Sequence, residues 1–286
     1  MTTPAGKIVP IGISSNKRCR VDGTTVKQLP DEAILRADVD GSAILTIHAP
    51  AYRNACSPEM REALLAHLQA ALADPGCRFI VLTGAGGQFC SGGRVSPNMK
   101  PDVERTRHNV GVLQDIARLL YRGPKPAIAA VEGSAVGAGF SLAMACDYVV
   151  ASEDARFCAS FGKVGLMADA GLAWTLPQRI GPARARDLLL TGRQVHGAEA
   201  AALGIVDRLV SPGASLAAAI EAGARYSGIA PLSLAATKRV MGQGLASLDE
   251  VLAAEAIEQP QLTLSQDYVE GRAAFQEKRA PVFRGL

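Results

Sequence analysis

The chain has 286 residues, of which 48% are hydrophobic and 20% charged, with 29 glycines and a formal net charge of +3. That much apolar material excludes a disordered chain, and a balance of 30 basic against 27 acidic side chains excludes a surface built for nucleic acid. The six cysteines, Cys19, Cys56, Cys77, Cys90, Cys146 and Cys158, form no C-x-x-C pair and have no histidine at zinc-ligand spacing, so neither a metal centre nor a disulfide scaffold is expected and a reducing cytoplasm fits.

Residues 1–30 mix Thr, Pro, Gly and Ser with a small basic run (Lys17, Arg18, Arg20) and no sustained period, and are read as a flexible extension. The apolar stretch 8–13 is too short for an export signal, and no segment reads as a membrane span. Residues 31–225 are read as the core and 226–286 as a helical region. Residues 33–39 and 43–48 flank Asp40-Gly41 as two strands of a tight hairpin. Ser57-Pro58 offers an N-cap and a first-turn proline to a helix carrying Met60, Leu64, Leu65, Leu68 and Leu72, which Pro75-Gly76 ends. There follow a strand (79–82), a glycine-rich turn (83–93), a polar helix (103–121), a strand (127–131), a second glycine-rich turn, an apolar helix and a strand (148–150). Beyond residue 171 strand signals thin out, and helical stretches are expected at 183–190, 198–203, 215–226, 232–241 and 248–262. Leu248, Val251, Leu252 and Ile257 give the last of these an apolar face suited to a neighbouring subunit.

Two segments carry the chemistry. Gly84-Ala85-Gly86-Gly87-Gln88-Phe89-Cys90-Ser91-Gly92-Gly93 and Gly133-Ser134-Ala135-Val136-Gly137-Ala138-Gly139 each follow a strand, and the second leads into a helix. Such turns present free N–H groups, and a helix N-terminus adds partial positive charge, so each is a candidate seat for an anion or a developing oxyanion. Taken singly, each reads first as a tight turn with close packing. The Gly133-x-x-x-Gly137-x-Gly139 spacing, with Tyr121-x-x-x-Lys125, imitates a short-chain dehydrogenase, but in the wrong order: that family's glycine turn follows its first strand.

Together with Arg53-Asn54-Ala55, the run from Pro126 to Gly139, Ala145-Cys146-Asp147, Thr191-Gly192-Arg193 and the run from Phe275 to Phe283, the first turn's Phe89 to Gly93 resembles the crotonase (enoyl-coenzyme A hydratase/isomerase) superfamily. The likeness extends from about residue 33 to the C-terminus. It implies an α/β spiral of repeated strand-strand-helix units with a helical C-terminal region, assembled as a homotrimer or a dimer of trimers. It also implies an acyl-coenzyme A thioester as substrate, with no other tightly bound cofactor. By the same resemblance the N–H groups of Gly93 and Ala138 form an oxyanion hole, with Ser91, Gly92 and Gly137 beside the substrate. The backbone near Tyr52 and Arg53 receives the adenine, Ala55 lies along the bound substrate, and Phe275 and Lys278 of a neighbouring subunit approach the nucleotide.

Hydratases of that family use two glutamates, and alignment of the flanking blocks puts Ser141 and Phe161 at those positions. A phenylalanine cannot transfer a proton, and Ser141 has no base beside it in sequence. Asp169 falls where dienoyl-coenzyme A isomerases and the ring-epoxide isomerases of phenylacetate breakdown carry an aspartate. Burial against Leu166 and Met167 is expected to raise its pKa and suit it to carry a proton between the α and γ carbons. The alternative is a helix N-cap, and one side chain can do both. His48, His67, His108 and His196 are assigned surface or core roles, Cys90 a packing role and Glu132 a solvated strand-end charge. The expectation is an isomerase; a hydratase or thioester hydrolase on the same fold, or a non-catalytic acyl-coenzyme A binder, are the alternatives.

Overall fold

The computed structural model describes residues 8–12, 18–21, 24–27, 31–94 and 100–286, with side chains from residue 31 onward. The expected N-terminal extension therefore lies largely outside the described residues. Within it, β1 (Ile8–Gly12) is a strand, and β2 (Arg18–Val21) and β3 (Thr24–Lys27) pair as a separate hairpin.

The hairpin expected at Asp40-Gly41 forms between β4 (Ala33–Val39) and β5 (Ser42–His48), with both turn residues at positive φ, +49° and +76°. Asp and Gly tolerate that region best, which is why two residues suffice to reverse the chain. Helix α1 (Pro58–Ala73) starts where Ser57 Oγ accepts the Met60 N–H at 3.3 Å, and buries Met60, Leu64, His67, Leu68 and Ala71 on one face. β6 (Phe79–Gly84) follows, then α2 (Val103–Arg122) and β7 (Ala127–Val131).

The second glycine-rich turn is more than a turn: it contains β8 (Ser134–Val136) before α3 (Ala138–Ala145). After β9 (Tyr148–Ser152) come β10 (Arg156–Cys158), α4 (Leu172–Ile180), α5 (Pro182–Thr191), β11 (Gln194–His196), α6 (Gly197–Leu203) and β12 (Arg208–Val210). The chain ends in α7 (Ser215–Ala224), α8 (Pro231–Gly242), α9 (Leu248–Leu262) and α10 (Gln266–Glu277).

One seven-stranded sheet has the order β1-β4-β5-β6-β7-β9-β12, parallel from β5 to β12, and a three-stranded sheet has the order β11-β10-β8. The central strands are buried on both faces, so alternation sorts them between two cores. In β6, Ile80 and Leu82 join the large core under α1 and α2, while Phe79 and Val81 join a smaller one under α7. β7 divides likewise, with Ala127, Ala129 and Val131 on the large side and Ile128 and Ala130 on the small. The glycine-rich turns leave the sheet at the carboxyl ends of β6 and β7, where open parallel sheets place their ligand clefts. Among the described residues no helix is long and apolar enough to cross a membrane.

Candidate active site

The two glycine-rich turns are stitched to each other. Phe89 N–H donates to Glu132 O at 2.7 Å, Cys90 N–H to Ser134 O at 2.8 Å and Val136 N–H back to Cys90 O at 3.0 Å. Gln88 Oε1 accepts the Ser134 N–H at 3.2 Å. The backbones approach so closely that a Cβ at Gly92 would stand 3.0 Å from Val136 O and 3.7 Å from Ala138 N. Gly92 and Gly137 both sit at positive φ, +107° and +54°, so glycine serves conformation and proximity at once.

A third segment locks onto the first turn. Asn54, fully buried, accepts the Ala49 N–H through Oδ1 at 2.9 Å and donates through Nδ2 to Ala85 O and Gln88 O at 2.8 and 2.5 Å. Ser91 donates its N–H to Arg53 O and its hydroxyl to Tyr52 O, both at 3.1 Å. Cys56 and Gly93 form a parallel bridge, with Cys56 N–H on Gly92 O at 2.8 Å and Arg94 N–H on Cys56 O at 3.0 Å. Tyr52, Arg53, Ala55, Ser91, Gly92 and Gly93 thus occupy one continuous ledge, and the Arg94 guanidinium lies 3.7 Å over the Tyr52 ring centre.

Neither the Gly93 nor the Ala138 N–H is taken by a protein acceptor among the described residues. Ala138 is the first residue of α3, where no intrahelical acceptor exists. One turn further on, Ser141 is fully buried, and its hydroxyl lies 3.4 Å from Gly137 O. Phe161 is 8% exposed and packs in the large core from a short 3-10 turn, Ser160–Val164.

Asp169 lies between that turn and α4. Burial pushes its carboxyl above the ordinary value of 3.8, while the Arg61 charge and the Ser141 hydroxyl pull partly back. Its Oδ1 is inaccessible and without a hydrogen-bond partner among the described residues. The neighbours expected to bury it do not, since Leu166 is exposed and Met167 is 80% exposed; Arg61 of α1 and Ser141 of α3 stand around it instead. Nor does its side chain cap α4: Gly171 holds the cap position at φ +77°, and only the Asp169 carbonyl takes part, accepting the Leu172 N–H at 3.0 Å. Between them Ala170, buried, holds φ +45°, a strained conformation for a residue with a Cβ.

Other sequence candidates are placed elsewhere. Phe275, 86% exposed, lies on α10 and Lys278 is the residue that ends it; neither is hydrogen-bonded to the ledge or to Asp169 among the described residues. With Leu232, Leu262, Tyr268 and Phe283, Phe275 lines an open groove of about 570 Å³ that contains none of the ledge residues. Glu132 is no solvated charge: it accepts the Gly213 and Ser215 N–H groups at 3.1 and 3.0 Å, closing the N-terminus of α7. Lys125 of the dehydrogenase-like pair binds the α1 terminus through Ala71 O and Asp74 O at 2.8 and 2.5 Å. Cys90 is buried 3.9 Å from Cys56 Sγ, and His196 ends β11.

Sequence reasoning missed the roles of Asn54, Gln88 and Arg61. Arg61 sits beside Met60 on the flank of the α1 stripe, where a charged residue reads as solvated; its Nε is buried instead. Two unclaimed N–H donors, a guanidinium and a carboxyl of raised pKa are the parts with which a site can form and hold an enolate.

Comparison with known proteins identifies the family. The family model described as Enoyl-CoA hydratase/isomerase matches residues 39–285. A probable enoyl-CoA hydratase of Rhodobacter capsulatus is 36% identical over 248 residues, 86% of this chain and 95% of that protein. A putative enoyl-CoA hydratase of Thermus thermophilus is 38% identical over 249 residues, 84% of this chain and 96% of that one. The crystal structure of an enoyl-CoA hydratase from a Polaromonas species superimposes with a TM-score of 0.82 at 35% identity, covering 88% of this chain and 99% of its own. The chain belongs to the enoyl-CoA hydratase/isomerase family of acyl-coenzyme A enzymes.

Proposed function

We propose that the enzyme isomerises unsaturated or ring-bearing acyl-coenzyme A thioesters through an enolate, with Asp169 as its one acid/base. The thioester oxygen sits between the Gly93 and Ala138 N–H groups, with Ser91, Gly92 and Gly137 as the walls of that seat. Asp169 as carboxylate takes a proton from the α carbon; the C–H electrons become a carbon–carbon double bond and the carbonyl pair moves onto oxygen. The same carboxyl then returns the proton to the γ carbon, so the double bond moves with no net change in composition. Each preorganised donor contributes about 10²–10³ in rate, which brings a weakly acidic thioester α-proton within reach of a carboxylate.

The observation that carries this reading is the replacement of both hydratase glutamates. Ser141 has no base beside it in sequence and Phe161 has no titratable group, so neither can activate water, whereas the Asp169 carboxyl is a largely buried acid beside Ser141. Adding water across a double bond calls for both activation of the water and protonation of carbon; moving a proton along a chain calls for one group that does both in turn. The backbone near Tyr52 and Arg53 holds the adenine, Ala55 lies along the bound substrate, and Phe275 and Lys278 of a neighbouring subunit in a trimer close over the nucleotide.

Incubation with 3-enoyl and 2-enoyl thioesters, followed by chromatography of the products, tests the reading. Interconversion of the two without 3-hydroxyacyl product, lost in Asp169→Asn, is the expected result. A 3-hydroxyacyl product, free acid, or binding without turnover overturns it in favour of a hydratase, a hydrolase or a binder respectively.

A further inference from the structure

Gly93 is not at positive φ, so its backbone conformation does not demand glycine. Its nearest neighbour is the tip of Arg61. A Cβ built on Gly93 would lie 2.5 Å from Arg61 Nη2, so the guanidinium fills the space that a side chain at position 93 would need. The cation therefore stands against the residue whose N–H is the first unclaimed donor of the site.

Arg61 is also unspent. Arg36, Arg94, Arg179, Arg193, Arg239 and Arg279 all close ion pairs with carboxylates, at 2.8 Å for Arg36 and Asp38 and 3.0 Å for Arg179 and Asp207. Arg61 closes none among the described residues, and its Nε is buried without a hydrogen-bond partner. That one N–H has given up water without a protein acceptor in return, and the rest of the half-buried guanidinium is left to face a ligand. The groups around it are Glu59 on α1, Asp169 before α4 and the Cys56 and Cys90 thiols, all of which feel its charge.

We propose that Arg61 is a catalytic residue, its guanidinium supplying a third, fully charged donor to the thioester oxygen beside the Gly93 N–H. The inference rests on the enolate reading above and deepens it. When the Asp169 carboxylate takes the α proton, one unit of negative charge leaves the carboxylate and arrives on the thioester oxygen; it returns when the γ carbon is protonated. Nothing is oxidised or reduced, and the net charge of the site stays constant. A cation standing against Gly93 and within electrostatic reach of Asp169 stabilises the charge at both ends of that transfer. Arginine suits the post because it stays protonated at any working pH.

The test is exchange of the α protons of but-3-enoyl-coenzyme A in deuterium oxide, followed by NMR, with isomerisation measured in parallel. Arg61→Gln removes the charge and, being shorter, the reach to the thioester oxygen; exchange and kcat are expected to fall about 10²-fold, the scale of one lost oxyanion-hole donor. Arg61→Lys keeps the charge and is expected to stay within about tenfold of wild type. Because Arg61→Gln also removes the charge that offsets the burial of Asp169, both variants are assayed at a temperature at which circular dichroism shows them folded. If the wild type exchanges, Asp169→Asn does not, and Arg61→Gln stays within twofold of wild type, the inference falls and the enolate reading stands. If the wild type neither exchanges nor isomerises, both fall together.

Discussion

The side-chain amide of Asn54 donates to the main-chain carbonyl of Gln88 at 2.5 Å, so the turn after β5 holds the glycine-rich turn after β6 by a side chain rather than a strand ladder. Asn54 also sits at φ +57°, a left-handed conformation that asparagine tolerates better than most residues. Asn54→Ala leaves the Ala49 N–H and the Gln88 carbonyl without their partner and the Ala85 carbonyl with only the longer bond from the Gln88 N–H, at 3.4 Å. The expected loss is about 2–4 kcal/mol of stability, read as a shift in the urea midpoint, on the scale of buried polar groups left unsatisfied. Because Ser91 to Gly93 follow Gln88 directly, kcat is expected to fall as well, with less change in KM.

Asp169 trades stability for reactivity. Its folded pKa is raised by burial, so protonation favours the folded state: the group's contribution is fully present below the ordinary value of 3.8 and is lost as pH rises through the folded pKa. At neutral pH the native enzyme therefore carries an unfavourable carboxylate that Asp169→Asn removes. The variant is expected to be inactive and to melt at a higher temperature than wild type at pH 7, the gap closing as pH falls toward 4. Melting curves across that range check the sign. Wild-type kcat/KM is expected to decline on the acid side at a pH above the usual carboxylate range.

Gly92 and Gly137 differ in what a methyl would meet. At Gly92 it would stand 3.0 Å from Val136 O with φ at +107°, whereas at Gly137 the nearest atom is Ser160 Oγ at 3.6 Å with φ at +54°. Gly137 combines φ +54° with ψ −125°, outside the left-handed α region and open essentially to glycine alone, so Gly137→Ala is expected to cost about 1–3 kcal/mol from backbone strain alone. Gly92→Ala adds a clash between the two turns and is expected to cost about 1–3 kcal/mol more, with loss of activity beyond what the stability change accounts for. Equal losses of activity in the two variants overturn this account.

The elements that a single period can describe were legible in the chain: the Asp40-Gly41 hairpin, the α1 stripe from Met60 to Leu68, and β6 and β7. β8, β10, β11 and β12 were not, because three residues are too few to display an alternation and their pairing partners are distant in sequence. Of α4 only a start beside Asp169 was legible, because Gly171 opens it and Pro177 lies inside it. In the site, the glycines and Asp169 were visible as residue types, but the surroundings of Asp169 were misjudged: exposed Leu166 and Met167 adjoin it in sequence, while Arg61 and Ser141 reach it from other helices. Glu132 likewise finds its partners some eighty residues downstream, at Gly213 and Ser215.

Glu132→Ala separates structure from chemistry close to the second turn. It removes the acceptor for two N–H groups and a favourable charge at the α7 terminus, and is expected to cost about 1–2 kcal/mol. The Gly133 to Ala138 backbone keeps its own ladder to Phe89 and Cys90, so kcat is expected to stay near wild type at temperatures where the variant is folded. A large loss of kcat in a fully folded variant shows instead that the carboxylate acts on the pocket.

The Ala145-Cys146-Asp147 block owes its place in the signature to packing. Asp147 Oδ2 accepts the Ala127 N–H at 2.7 Å and pairs with the Lys238 ammonium, which also donates to Leu120 O and Lys125 O at 2.9 and 3.0 Å. Burial pushes the Asp147 carboxyl up, and Lys238 is the chief influence holding it down. Lys238→Met therefore strands a buried carboxylate and two main-chain carbonyls, and is expected to cost about 3–5 kcal/mol. Adding Asp147→Asn removes the stranded charge while keeping an acceptor for Ala127, so the double variant is expected to recover part of that loss. A double variant no more stable than Lys238→Met overturns the charge argument and leaves the lost packing of the lysine stem as the cause.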